Sequence, residues 1–168
     1  SIDATLMYVN QVGCQDEIVF DGSSFICDQT KIVSKLNHCV EESREYIFNT
    51  IDKAFEVDEN DKFDIDKQDI VYSNLILGLR DYVDKNKFPG VVIGISGGID
   101  SAFSAAVAVD ALGADRVKGI LMPSQFTSDE SNIDANLLGK NLGIDLLSIS
   151  IQDIVNSYDN TLSDLFAD

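Results

Sequence analysis

The sequence predicts an α/β protein whose larger part is a doubly wound parallel sheet. Three observations lead there. From residue 91 onward, short runs of buried-type apolar residues alternate with amphipathic helical stretches. A glycine-rich string falls where the first of those runs gives way to a helix. The first third of the chain, by contrast, shows strand following strand with no helix between them.

The elements follow in order. Leu6-Met7-Tyr8-Val9, Ile18-Val19-Phe20, Ser24-Phe25-Ile26-Cys27 and Lys31-Ile32-Val33 read as short strands separated by turn residues. Gly13, Asp21-Gly22-Ser23 and Asp28-Gln29-Thr30-Lys31 supply the turns, and the last string suits a hairpin. Four short strands leave one sheet face uncovered, so this segment is expected to need a covering partner that the sequence does not contain. Residues 37–66 are rich in acid and read as a linker, with a helix expected over residues 46–55. Asp58-Glu59-Asn60-Asp61 lacks the Gly and distal Glu of an EF-hand and reads as a solvated charge run. Val71, Leu75, Leu79, Tyr82 and Val83 then form one helical stripe ending before Phe88-Pro89-Gly90. The alternating part has strands at residues 91–95, 117–122 and 146–151. Its helices run over 100–112, closed by Gly113, from Ser128 to Gly143, and from about Ile154 to Leu165.

Composition narrows the function classes. The chain has 168 residues, 45% of them hydrophobic, enough for a core. With 12 Lys and Arg against 29 Asp and Glu the net charge is -17, so duplex nucleic acid and anionic membranes are not expected partners. No run approaches the roughly 20 apolar residues of a membrane span, and a cytoplasmic protein is expected. Cys14, Cys27 and Cys39 are too widely spaced for a Cys-x-x-Cys pair, and with His38 the sole histidine they read as reduced, partly buried side chains.

The chemistry concentrates in Gly94-Ile95-Ser96-Gly97-Gly98-Ile99-Asp100-Ser101. Glycines at a strand-to-helix turn let backbone N–H groups converge, and the helix N-terminus adds about half a positive charge. At about 4 Å and an effective dielectric near 20, that half charge attracts a phosphate charge by roughly 2 kcal/mol. Remote carboxylates are screened beyond a Debye length of about 8 Å, so the acidic total does not cancel this attraction. No Lys follows the glycines, which excludes a Walker A loop. The spacing is not Gly-x-Gly-x-x-Gly, and the nucleophile elbow that Gly94-Ile95-Ser96-Gly97-Gly98 imitates would need a histidine after Ser96, whereas His38 precedes it. A purely packing role for the glycines would leave Ser96, Asp100 and Ser101 without a purpose.

Ser96-Gly97-Gly98-Ile99-Asp100-Ser101 resembles the pyrophosphate-binding loop of the ATP pyrophosphatase superfamily, whose fold is of the adenine-nucleotide α-hydrolase type. That superfamily holds NAD, GMP and asparagine synthetases and tRNA-modifying enzymes. The wider set is similar to bacterial glutamine-dependent NAD synthetase: Gly78-Leu79-Arg80-Asp81-Tyr82-Val83, Phe88-Pro89-Gly90-Val91-Val92, residues 108–117 and Met122-Pro123-Ser124-Gln125-Phe126-Thr127-Ser128. Residues 8–17 and 19–25 resemble the end of that family's nitrilase-like glutaminase domain, with Cys14 where the family usually carries a Gly. The resemblance covers essentially the whole chain but only the middle of the family's enzyme. It implies three parts: residues 1–36 from a glutaminase domain, an acidic linker at 37–66, and the start of an ATP-binding synthetase domain at 67–168.

The implied reaction is amidation of nicotinate adenine dinucleotide to NAD, with ATP and Mg²⁺ required and ammonia drawn from glutamine. A GMP synthetase-like ligase and an inactive nucleotide-binding or assembly fragment are the alternatives. The resemblance carries ATP binding to Gly94, Ile95, Ser96, Gly97, Gly98, Ile99, Asp100 and Ser101. Ser96, Gly97, Gly98 and Ser101 would hold phosphate oxygens. Asp100 would ligate Mg²⁺ or simply stabilise the helix N-terminus, and Leu121 and Met122 would border the adenine or be plain core. A homo-oligomer is expected. The glutaminase nucleophile and the segments that grip the nicotinate dinucleotide and complete the magnesium site are expected outside these 168 residues.

Overall fold

The structure, a computed structural model, describes residues 4–28, 31–57 and 66–163. It divides into two compact units, residues 1–85 and 86–168. The acidic run Asp58-Glu59-Asn60-Asp61 and the turn residues Gln29 and Thr30 lie outside the described residues.

The first unit is built from short antiparallel strands. β1 (Leu6–Tyr8) pairs with β4 (Phe25–Asp28), which pairs with β5 (Lys31–Lys35). Tyr8 sits opposite Phe25, and their rings stack with centroids 5.2 Å apart. β2 (Val12–Gln15) and β3 (Ile18–Asp21) form a separate hairpin that turns at Asp16, whose φ is +53°. β2 is a strand where Gly13 alone suggests a turn. That glycine sits inside the strand for a packing reason: a Cβ there would fall 2.9 Å from the carboxylate of Asp81.

Asp81 belongs to α1 (Lys67–Lys85), the helix read from the apolar stripe beginning at Val71. The helix packs on the hairpin through a polar clamp. The Cys14 N–H donates to the Asp81 carboxylate, and Lys85 Nζ lies 2.6 Å from both Asp81 Oδ2 and the Cys14 carbonyl oxygen. His38 ties the same helix to β3, with Nδ1 3.3 Å from Asp21 Oδ2 and Nε2 donating to the Ile70 carbonyl at 3.3 Å. Contrary to the expectation of a partner outside the sequence, the β2–β3 hairpin is covered by the chain's own α1.

The helix expected over residues 46–55 is absent. In its place β6 (Phe48–Asn49) and β7 (Ala54–Phe55) make a two-residue ladder. The Asn49 side-chain oxygen accepts from the N–H groups of Ile51 and Asp52 at 2.9 and 3.2 Å, a local bond that competes with helix formation. Lys53 at φ +52° is incompatible with a helix, and the Phe48 and Phe55 rings close over the turn at 5.0 Å.

The second unit is the parallel α/β part. β8 (Val91–Gly94), β9 (Val117–Leu121) and β10 (Asp145–Ser148) form one parallel sheet with β9 in the centre. Pairing continues past the regular strands, since Ile95 N–H bonds to the Ile120 oxygen at 2.9 Å and Ile149 N–H to the Leu121 oxygen at 2.8 Å. α2 (Ile99–Leu112) and α3 (Asp129–Leu142) are the crossovers, and α4 (Gln152–Leu162) follows β10. Gly113 and Gly143 end α2 and α3, and the Ser128 hydroxyl caps α3 by accepting from the Ser131 N–H at 3.2 Å.

The core between sheet and helices is formed by Ile95, Ala105, Leu121 and Ala135, with Ile93, Leu138 and Leu146 packed against it. Small residues let the layers approach: a Cβ on Gly139 of α3 would meet Leu146 at 2.4 Å. Alternation along the strands turns Val92 and Leu147 to the opposite sheet face, where they remain 65% and 59% exposed.

Candidate functional site

The parallel sheet presents the carboxyl ends of three strands along one edge, the place where α/β sheets bind ligands. Residues 94–101 occupy the turn from β8 into α2, as the sequence suggests. Gly98 is the N-cap of α2, in an extended conformation and with no side chain capping the helix. The first helical N–H groups, those of Ile99, Asp100 and Ser101, have no acceptor within the helix, because the ladder begins with Ala102 N–H to the Gly98 oxygen at 3.1 Å. An uncapped helix start with a glycine turn before it leaves N–H donors and a partial positive charge of the kind that suits an anion.

Gly97 shapes the turn. Its φ is +75°, and a Cβ would fall 2.5 Å from the carbonyl oxygen of Ser131 on α3. The turn is thus pressed against the first part of α3 with no room for a side chain. A hydroxyl network holds it internally. Ser96 N–H donates to Ser101 Oγ at 3.2 Å, the two hydroxyl oxygens are 3.2 Å apart, and the Ser101 hydroxyl donates to the Gly98 carbonyl at 3.0 Å. Gly98 N–H points back at Ser96 Oγ at 3.4 Å. Asp100 is exposed in the first turn of α2.

Beside the turn lies a cleft of 420 Å³, with Ser96 on one side, Met122 at the end of β9, and Phe126, Ser128, Ser131 and Asn132 on the other side. Of the eight residues singled out from the sequence, Gly94, Ile95 and Ser96 line this cleft, while the remaining five form the adjoining turn and helix start. Leu121 is both buried core and cleft floor, whereas Met122 is half exposed and faces the cleft. The β9–α3 residues Phe126, Ser128, Ser131 and Asn132 were not anticipated as site residues. Their signal was present, because Ser128 reads as a helix cap just past the carboxyl end of a strand.

No cluster of three or more His, Cys, Asp or Glu side chains suited to a metal occurs among the described residues. The cysteines are half-buried, and burial, with a smaller contribution from the charge of Asp21, pushes the Cys39 thiol above its ordinary range, which opposes a thiolate role.

Comparison with known proteins finds relatives of this chain. The family model described as NAD synthase matches residues 71–167. A glutamine-dependent NAD(+) synthetase from Thermotoga maritima is 37% identical over 96% of this chain and 34% of its own length. Among solved structures, the glutamine-dependent NAD+ synthetase of Acinetobacter baumannii in complex with ADP superposes with a TM-score of 0.90 at 38% identity, covering 98% of this chain and 31% of that one. An NH3-dependent NAD synthetase from Campylobacter jejuni in complex with nitrate gives 0.52 at 31% identity, over 58% of this chain and 42% of its own. The chain spans about a third of the length of the glutamine-dependent relatives. With more than half of its residues matched by one family model, the strand-to-helix turn at residues 94–101 inside that match, and the parallel sheet shared with solved members, the chain belongs to the NAD synthase family.

Proposed function

We propose that this chain is part of a glutamine-dependent NAD synthetase and that residues 94–101 bind the phosphates of ATP. One observation carries the reading: the glycine turn leads into a helix that has no capping side chain, within the NAD synthase match and beside a cleft at the sheet's carboxyl edge. The family match favours this over GMP synthetase-type chemistry.

In the proposed reaction a carboxylate oxygen of nicotinate adenine dinucleotide attacks the α-phosphorus of ATP. The bond from that phosphorus to the bridging oxygen breaks, and pyrophosphate leaves. Ammonia from glutamine then attacks the acyl carbon, AMP departs, and the surplus proton passes to solvent. The chain's part is to receive the negative charge that grows on pyrophosphate, using N–H groups fixed before the reaction begins. Gly97, Ile99, Asp100 and Ser101 supply those groups from the backbone, and Ser96 adds a hydroxyl. Met122 and Phe126 flank the cleft where an apolar base would rest.

The donor set fits Mg²⁺ in the form that ion favours. It binds through one or two carboxylates together with substrate phosphates, and Asp100, exposed at the start of α2, provides one carboxylate beside the phosphate-binding turn. When bound, Mg²⁺ would neutralise charge on the phosphate oxygens.

The three-part organisation, with a glutaminase end at residues 1–36, a linker at 37–66 and a synthetase part from 67, is supported by the family match beginning at residue 71. Assembly as a homo-oligomer in the cytoplasm, without nucleic acid or membrane partners, belongs to the same proposal. No helix among the described residues is long and apolar enough to cross a membrane. Calorimetric titration of the chain with ATP and Mg²⁺ tests the reading, and absence of saturable binding would refute it.

A further inference from the structure

We propose that Gln152, which does not line the cleft, is a positioning residue for nucleotide binding: its side chain pins the turn between β9 and α3 and so holds Phe126 at the cleft wall. The inference rests on the nucleotide reading above. It starts from where the backbone bonds of that turn go. Four N–H groups stand between Pro123 and Ser128, and three of them are answered within the turn. Ser124 N–H donates to Thr127 Oγ1 at 3.0 Å, Phe126 N–H to Ser124 Oγ at 3.3 Å, and Thr127 N–H to the Ser124 carbonyl at 3.0 Å. The Gln125 N–H leaves the turn instead, and donates at 2.6 Å to Oε1 of Gln152, the first residue of α4.

The partners of Gln152 fix which way its amide points. A backbone N–H faces one end, so that end is the oxygen. The nitrogen at the other end donates to Asn156 Oδ1 at 2.8 Å, one helical turn further along α4. The start of α4 is stitched to the same segment a second time, through the Ile151 N–H and the Pro123 carbonyl at 3.1 Å. Pro123 and Gln125 are thus both held from α4, and Phe126 follows directly. Phe126 needs such support, because it lines the cleft while remaining 78% exposed, so burial does little to fix its ring. An aromatic wall held in place before a base arrives raises affinity by reducing what must be ordered on binding. Gln152 therefore acts on the ligand through Phe126, without touching it.

The test uses the whole chain with Gln152→Ala, Gln152→Glu and Phe126→Ala. Amide hydrogen exchange at Gln125 in the ligand-free protein reads the pin, and calorimetry with ADP reads its consequence. Gln152→Ala should speed exchange at the Gln125 N–H by about fivefold and weaken ADP binding by about fivefold. Gln152→Glu, whose carboxylate still accepts the N–H, should restore both. In the Phe126→Ala background, Gln152→Ala should cost no further affinity, since the residue it acts through is gone. Faster exchange with affinity unchanged would overturn the inference, and so would lost affinity with exchange at Gln125 unchanged. A full further loss in the Phe126→Ala background would overturn it as well, because Gln152 would then reach the ligand by another route. A wild-type chain that binds no ADP, in which Gln152→Ala still speeds exchange at Gln125, would overturn the nucleotide reading while upholding the pin on the turn.

Discussion

Gly97 meets Ser131 with no space to spare: a Cβ at position 97 would fall 2.5 Å from the Ser131 carbonyl oxygen. The contact joins the turn after β8 to the helix after β9, so the wall of the cleft and the glycine turn are set by one another. Gly97→Ala should therefore do two things. The left-handed backbone, at φ +75°, costs about 1–2 kcal/mol for a residue with a side chain, and the clash adds to that. Urea unfolding should register the loss of stability, and ATP affinity should fall by more than the stability change explains, because α3 must shift.

Ser128 caps α3 and lines the same cleft. Ser128→Ala should cost about 1 kcal/mol through the lost bond to the Ser131 N–H, whereas Ser128→Asp should retain most of it. Thermal unfolding of the two variants side by side distinguishes them.

The clamp between α1 and the β2–β3 hairpin predicts a pH dependence. The Cys14 N–H, followed by the Lys85 ammonium, holds the Asp81 carboxyl below its ordinary range. A carboxylate with a lowered folded-state pKa stabilises the fold above its unfolded pKa of about 3.9, and that contribution is lost as pH falls through the folded value. Between pH 5 and pH 2, wild-type stability should drop more steeply than that of Asp81→Asn, whose amide oxygen still accepts the Cys14 N–H. Parallel slopes in urea titrations across that range would show that the clamp carries no charge-dependent stability.

Incubated with ATP, Mg²⁺, nicotinate adenine dinucleotide and either glutamine or ammonium, the 168 residues alone should form no NAD. Rate gains from proximity require both reactants held together, and the chain matches only about a third of the length of its glutamine-dependent relatives. A coupled dehydrogenase assay reads this directly, and turnover comparable to an intact synthetase would show a complete site within the chain.

The parallel part of the fold was legible because its signals are local and agree with one another. Gly113, Ser128 and Gly143 punctuate α2 and α3 where chain pattern and structure coincide. The strand-to-helix turn at residues 94–101 was legible for the same reason, since its glycines stand where β8 feeds α2. The first unit was harder. Gly13 looks like a strand breaker until Asp81, 68 positions later, is seen pressing against it. Residues 46–55 carry a helix-like scatter of apolar residues, yet the Asn49 side chain closes a turn that no periodicity reports.

The central claim is that the turn at residues 94–101 grips the phosphates of ATP, and calorimetric titration of the chain with ATP and Mg²⁺, wild type against Ser96→Ala/Asp100→Ala, tests it most directly. The account predicts saturable binding to the wild type and an affinity at least about tenfold weaker in the double variant, from the loss of one hydroxyl and one magnesium-binding carboxylate. Equal affinity in the two proteins would contradict it.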